Sequence, residues 1–147
     1  MNTFDKASLY EMSYAFMRRF AFIPVGIPRD INAQLIRGYL DAWNEDPQEN
    51  WHRGMSADEI LPGLWQTINR TRKIGPAVVR DIYDFVSRDG DLIDALIMFV
   101  LPQFEGLLDD KIIEFVRDVD VSDGRDRLRN FCADFFGIEE KRFKETG

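Results

Sequence analysis

The sequence predicts a mainly α-helical protein, in which a short helix–strand piece precedes an all-helical domain. Three observations carry that prediction. Apolar residues recur at three- and four-residue intervals along most of the chain, the spacing that gathers them on one helical face. The only convincing strand signal is Phe20-Ala-Phe-Ile-Pro-Val25, a β-prone run in which Pro24 marks an edge or an exit. Gly26 and Pro28 then break the chain, which divides it into residues 1–28 and residues 29–147.

In the first unit, Ser8-x-x-Glu11 has the form of a capping box, and Leu9, Met12, Phe16 and Phe20 follow on one helical face. The second unit begins near Asp30. Ile31, Leu35, Tyr39 and Trp43 make an amphipathic stripe. Asn44 to Gly54 is polar and reads as a loop. A second capping box, Ser56-x-x-Glu59, opens a helix with Ile60, Leu64, Trp65 and Ile68, although Pro62 and Gly63 lie early in it. Gly75-Pro76 restarts the chain, with proline where a first helical turn tolerates it, and Val78, Val79, Ile82, Tyr83 and Val86 follow. Leu92 to Leu101 is apolar nearly all round, which predicts the central, most buried helix, ended by Pro102. Ile112, Phe115 and Val116 mark the next helix. Leu128, Phe131, Cys132 and Phe135 mark the last, stopped by Gly137. The charged tail from Glu139 is expected to fray.

Composition excludes several classes. At 147 residues, 45% hydrophobic and 13% aromatic, the chain can build a core of its own. Its longest apolar run, Ala95 to Leu101, falls far short of the roughly 18 residues that span a membrane. The first residues are polar and include Asp5 and Glu11, unlike a signal peptide. Cys132 is the sole cysteine, so no internal disulfide forms and a cytoplasmic location is expected. A net charge of −7 argues against direct nucleic-acid binding. One histidine and one cysteine supply no metal site.

Asn2, Thr3 and Asp5 are short polar side chains just ahead of the first predicted helix, residue types that serve at strand-to-helix junctions. Such groups position a water or touch a phosphate oxygen, and they also cap helices. Arg18 and Arg19 end the following helix, where cations suit the dipole. Their other reading is an arginine finger that neutralises charge on a transferring phosphoryl group. His52 has no partner at motif spacing. Trp43, Trp51 and Trp65 are expected in the core or at its edge, and Cys132 is expected to be buried. Asp109, Asp110, Asp118 and Asp120 read as solvated helix ends.

The order of these features is specific. Met1-Asn2-Thr3-Phe4-Asp5, a helix, and then Ser13-Tyr14-Ala15-Phe16-Met17-Arg18-Arg19-Phe20 before a strand resembles the sensor-1 to arginine-finger segment of AAA+ NTPases. The nearest branch is the one holding McrB, the GTP-hydrolysing subunit of the modified-cytosine restriction system. Its pattern reads Gly-Thr-Met-Asn-Thr-Ala-Asp, then a helix ending Asp-Tyr-Ala-Leu-Arg-Arg-Arg-Phe. Phe4 replaces a small residue of that pattern, and Met17 replaces the first of three arginines. The resemblance implies that Asn2 is the sensor-1 residue, that Arg18 or Arg19 is the finger, and that Thr3 and Asp5 lie near the nucleotide.

It also implies a helical lid after the core. Arg72-Lys73-Ile74-Gly75-Pro76-Ala77-Val78-Val79-Arg80-Asp81 resembles the lid helix that carries the sensor-2 basic residue, with Gly75 and Arg80 facing phosphate. The plainer reading pairs Arg80 with Asp81, Asp84 or the acidic surface. Leu101-Pro102-Gln103-Phe104-Glu105-Gly106 resembles a lid turn, which Gln103 and Glu105 help to hold. No Gly-x-x-x-x-Gly-Lys-[Ser/Thr] occurs, and no apolar strand ending in Asp-Glu precedes Asn2. The expectation is therefore the end of an AAA+ core (residues 1–28) plus a lid (residues 29–147), from a C-terminal fragment, a split gene or a miscalled start. The parent would be a ring homo-oligomer that hydrolyses ATP or GTP with Mg²⁺, either to drive a partner nuclease or to remodel DNA–protein complexes. This chain alone would be inactive and would hold no nucleotide. The alternative is a free-standing helical interaction module without NTPase activity.

Overall fold

A computed structural model describes residues 26–121 and 124–145. The first predicted helix and the strand Phe20–Val25 lie outside the described residues. Those that are described are mainly helical and include no strand.

Helix α1 (Ala33–Trp43) starts at Asn32, whose Oδ1 accepts the Leu35 N–H at 2.9 Å. It ends at Asn44, at φ 57°, a left-handed conformation that asparagine tolerates. Its buried line is Ile36 and Leu40, while Leu35, Tyr39 and Trp43 are half-buried beside it. The predicted stripe stepped by four each time, and four-residue steps drift around a helix of 3.6 residues per turn. Helix α2 (Ala57–Thr71) forms its capping box, with the Ser56 N–H donating to Glu59 Oε2 at 2.9 Å. Leu61, Leu64, Trp65 and Ile68 are buried. Pro62 removes one helical hydrogen bond, to the Asp58 carbonyl, and the helix continues.

Helix α3 (Pro76–Val86) buries Val79, Ile82, Tyr83 and Val86. The polar Asn44–Gly54 loop is fastened to it. Trp51, only 5% exposed, stacks on Tyr83 and donates its indole N–H to Ser87 Oγ at 3.2 Å. Gly90 closes the exit from α3. A Cβ there would lie 2.4 Å from Phe85 Cδ1 and 2.5 Å from the Phe85 carbonyl oxygen. Gly90→Ala is therefore expected to cost roughly 1–3 kcal/mol through forced displacement. A urea midpoint that falls while m is unchanged would show it; an unmoved midpoint would refute it.

The segment predicted as the central helix departs from expectation. Helix α4 (Leu92–Ala95) passes into a π-helical turn (Leu96–Val100) and then a 3₁₀ turn (Leu101–Phe104). The Leu101 N–H reaches back five residues to the Leu96 carbonyl. Pro102, lacking an N–H, makes no α-type bond to Met98. Leu92, Ala95, Leu96, Val100 and Leu101 are buried, but Met98 is 54% exposed, and Ile97 and Phe99 are half-buried. The run is thus a wall of the core. Its centre is α2, which packs against α1, α3 and α5.

Helix α5 (Asp109–Asp118) lies on α2, and α6 (Arg125–Phe136) lies on α5. Phe104 meets Phe115 edge to face at 4.9 Å, joining the 3₁₀ turn to α5. Leu128 and Cys132 are buried on α6, Phe131 is half-buried, and Phe135 is 52% exposed. Burial pushes the Cys132 thiol up to about 12, so it stays protonated and inert. Gly137, at φ 70°, ends α6. The tail then forms α7 (Glu140–Glu145) instead of fraying. Ile138 and Phe143 are buried, and Arg142 donates to Asp109 and, at 2.8 Å, to Asp110. Asp110 is exposed and Asp109 partly exposed at the start of their helix, as expected, and from there both also pair with Arg142 of the tail.

Candidate functional site

The described part of the candidate site is the start of α3. Ile74, in the connection from α2, is held at both backbone groups by α2 side chains. Its carbonyl accepts the Trp65 indole N–H at 2.8 Å, and its N–H donates to Asn69 Oδ1 at 2.8 Å. Ile74 is itself buried. This clamp fixes the exposed Gly75 as N-cap of α3, followed by Pro76. Gly75 has an ordinary φ of −75°, and a Cβ there would meet nothing among the described residues. Neither conformation nor crowding therefore requires glycine. With no side chain to cap the helix and no acidic residue in its first turn, α3 keeps the positive end of its dipole open.

Arg80 lies one turn further in. Its guanidinium carbon sits 5.6 Å from the centre of the Trp43 ring, and its Nε is 3.7 Å from Asp84 Oδ2. Trp43 stacks on Tyr39 at 5.4 Å, and Tyr39 meets Trp65 edge-on at 6.0 Å. An aromatic ladder thus runs from the buried Trp65 to the surface and seats Arg80 at its outer end. The side chain remains 47% exposed. Arg72 donates to the carbonyls of Gln103 and, at 3.0 Å, Glu105. It ties the α3 entry to the 3₁₀ turn, so Gln103 and Glu105 take part in holding that turn through their backbones.

Asn2, Thr3, Asp5, Arg18 and Arg19 lie outside the described residues. Among the described residues, no three His, Cys, Asp or Glu side chains are grouped to hold a metal, and no helix is long and apolar enough to cross a membrane.

Sequence reasoning missed one buried charge. Asp58, 2% exposed in the first turn of α2, accepts the Ser56 hydroxyl at 2.6 Å and pairs with Arg37 Nε at 2.5 Å. The Ser56 hydrogen bond, aided by Arg37, holds its carboxyl below the ordinary carboxylate value despite burial. A lowered folded value means that the unfolded chain binds the proton more tightly. The stabilisation is therefore complete above about pH 4, the unfolded carboxylate value, and drains away as pH falls through the lower folded value. Asp58→Asn is expected to cost roughly 1–3 kcal/mol at pH 7 and to flatten the acid limb of a Tm-against-pH curve. An unchanged acid limb would rule this out.

No family model, no curated protein and no solved structure matches the chain.

Proposed function

We propose that this chain is the end of the AAA+ core plus the helical lid of an McrB-like NTPase. Its parent binds and hydrolyses ATP or GTP between subunits of a ring, and uses that hydrolysis to drive a partner nuclease or to remodel DNA–protein complexes. The observation that carries this reading is the order of residues Asn2-Thr3-Phe4-Asp5, then a stretch whose sequence predicts a helix, then Arg18-Arg19-Phe20 before a β-prone run, followed after Pro28 by described residues that are mainly helical. The uncapped start of α3 at Gly75 and the exposed Arg80 support it, because an open helix N-terminus and a guanidinium both suit phosphate oxygens. The nucleotide supplies the phosphoryl group. In this chain Gly75 and Arg80 would orient its phosphates from the lid side. Mg²⁺ would be held by P-loop and Asp-Glu residues of the parent, motifs that this chain lacks.

The competing reading, a free-standing helical interaction module, draws on the Asp84 and Trp43 contacts that give Arg80 a structural occupation. Sequencing the DNA upstream of Met1 separates the two. An in-frame P-loop and Asp-Glu strand is expected; an intergenic region with a ribosome-binding site would overturn the NTPase assignment.

A further inference from the structure

Between α2, the loop at residues 51–55 and the end of α5 lies an open groove of roughly 350 Å³. That volume is at the small end of ligand sites and admits a few side chains. Met55, Ile60, Leu64 and Leu92 give it an apolar lining. Its rim is acidic: Glu59, Asp118 and Asp120 outnumber Arg53, and burial and the neighbouring Arg53 lower the pKa of His52, favouring its neutral form. Asp118 is paired with Arg117 at 2.8 Å, while Asp120 has no ion-pair partner among the described residues.

We propose that this groove docks a basic, apolar peptide segment of a partner protein. The inference does not rest on the NTPase assignment. Charge complementarity selects the occupant: an apolar floor takes apolar side chains, and an acidic rim on a chain of net charge −7 attracts lysine or arginine beside them. Gly63 supplies an independent sign. It lies inside α2, where glycine is a poorer helix former than alanine, and a Cβ there would meet nothing among the described residues. Neither packing among the described residues nor backbone conformation explains it. The space it leaves is part of the groove, where a missing side chain allows close backbone approach. Helix stability is given up at the point where a partner would lie.

The test is an NMR titration of the isotope-labelled full chain with acetyl-Lys-Leu-Phe-Lys-Leu-Lys-amide, and with its counterpart carrying Glu in place of every Lys. The basic peptide should shift the amides of Ile60, Gly63, Leu64 and Thr67, and bind roughly tenfold more tightly than the acidic one. Asp118→Asn combined with Asp120→Asn should remove most of that difference. Gly63→Ala should raise Tm by about 2–4 °C while weakening the peptide, and Gly63→Leu should block it. Absence of shifts at millimolar peptide, equal binding of both peptides, or full binding by Gly63→Leu would overturn the proposal. So would self-association abolished by Gly63→Leu, which would assign the groove to a second copy.

Discussion

Leu96→Ala is expected to destabilise the helical domain by roughly 2–5 kcal/mol, the range for truncating a leucine whose surroundings relax only partly. Leu96 is fully buried at the start of the π-helical turn, in a segment that packs against α3. Its backbone carbonyl also receives the long bond from Leu101. Neighbours restrained in this way are poorly placed to collapse into the space left behind. Thermal unfolding should move down by on the order of 10 °C. Met98→Ala, in the same turn but half in solvent, is the control and should stay within about 0.5 kcal/mol. A loss below about 0.5 kcal/mol for Leu96→Ala would mean that this turn does not carry the core.

The contrast between Leu96 and Met98 also marks what the sequence could and could not convey. Local signals were legible. Ser56 and Glu59 form their capping box, and Gly137 stops α6 at positive φ. Each depends on residues within a turn of itself. The apolar run Leu92–Leu101 was legible as core, but its wider turn was not, because hydropathy records how apolar a segment is and not how its backbone bonds. The tail was misread for a related reason. Its charges dominate the composition, yet Ile138 and Phe143 are buried, and Arg142 finds Asp109 and Asp110 more than thirty residues away.

The candidate site divides in the same way. Gly75-Pro76 is a local signal compatible with a helix start, and the structure has one there. The clamp on Ile74 by Trp65 and Asn69, the seat of Arg80 on Trp43 and the fastening of Arg72 to the 3₁₀ turn all join residues from different elements or connections. No periodicity encodes such pairs. The groove was equally hidden, since α2, the 51–55 loop and the end of α5 meet only after folding, and Gly63 read simply as a weak point in a helix.

The largest expected effect belongs to Arg18 and Arg19 in the ring of the proposed parent. Alanine at the true finger should cut NTP hydrolysis by about 10³-fold or more, because the guanidinium stabilises charge that develops mainly in the transition state. Nucleotide affinity should fall far less, since the P-loop and Mg²⁺ hold the ground-state phosphates. The effect should also cross subunits. Mixing a finger variant with a P-loop variant should restore part of the activity, because one type of interface then joins an intact P-loop to an intact finger. A helix-capping role predicts a different pattern: a stability loss on the order of 1 kcal/mol per site and hydrolysis near normal. Measuring turnover, nucleotide affinity and assembly for Arg18→Ala, Arg19→Ala and the double variant separates the two. Rings that assemble and hydrolyse at the wild-type rate with both arginines removed would refute the finger, and with it the most mechanistic support for the AAA+ assignment.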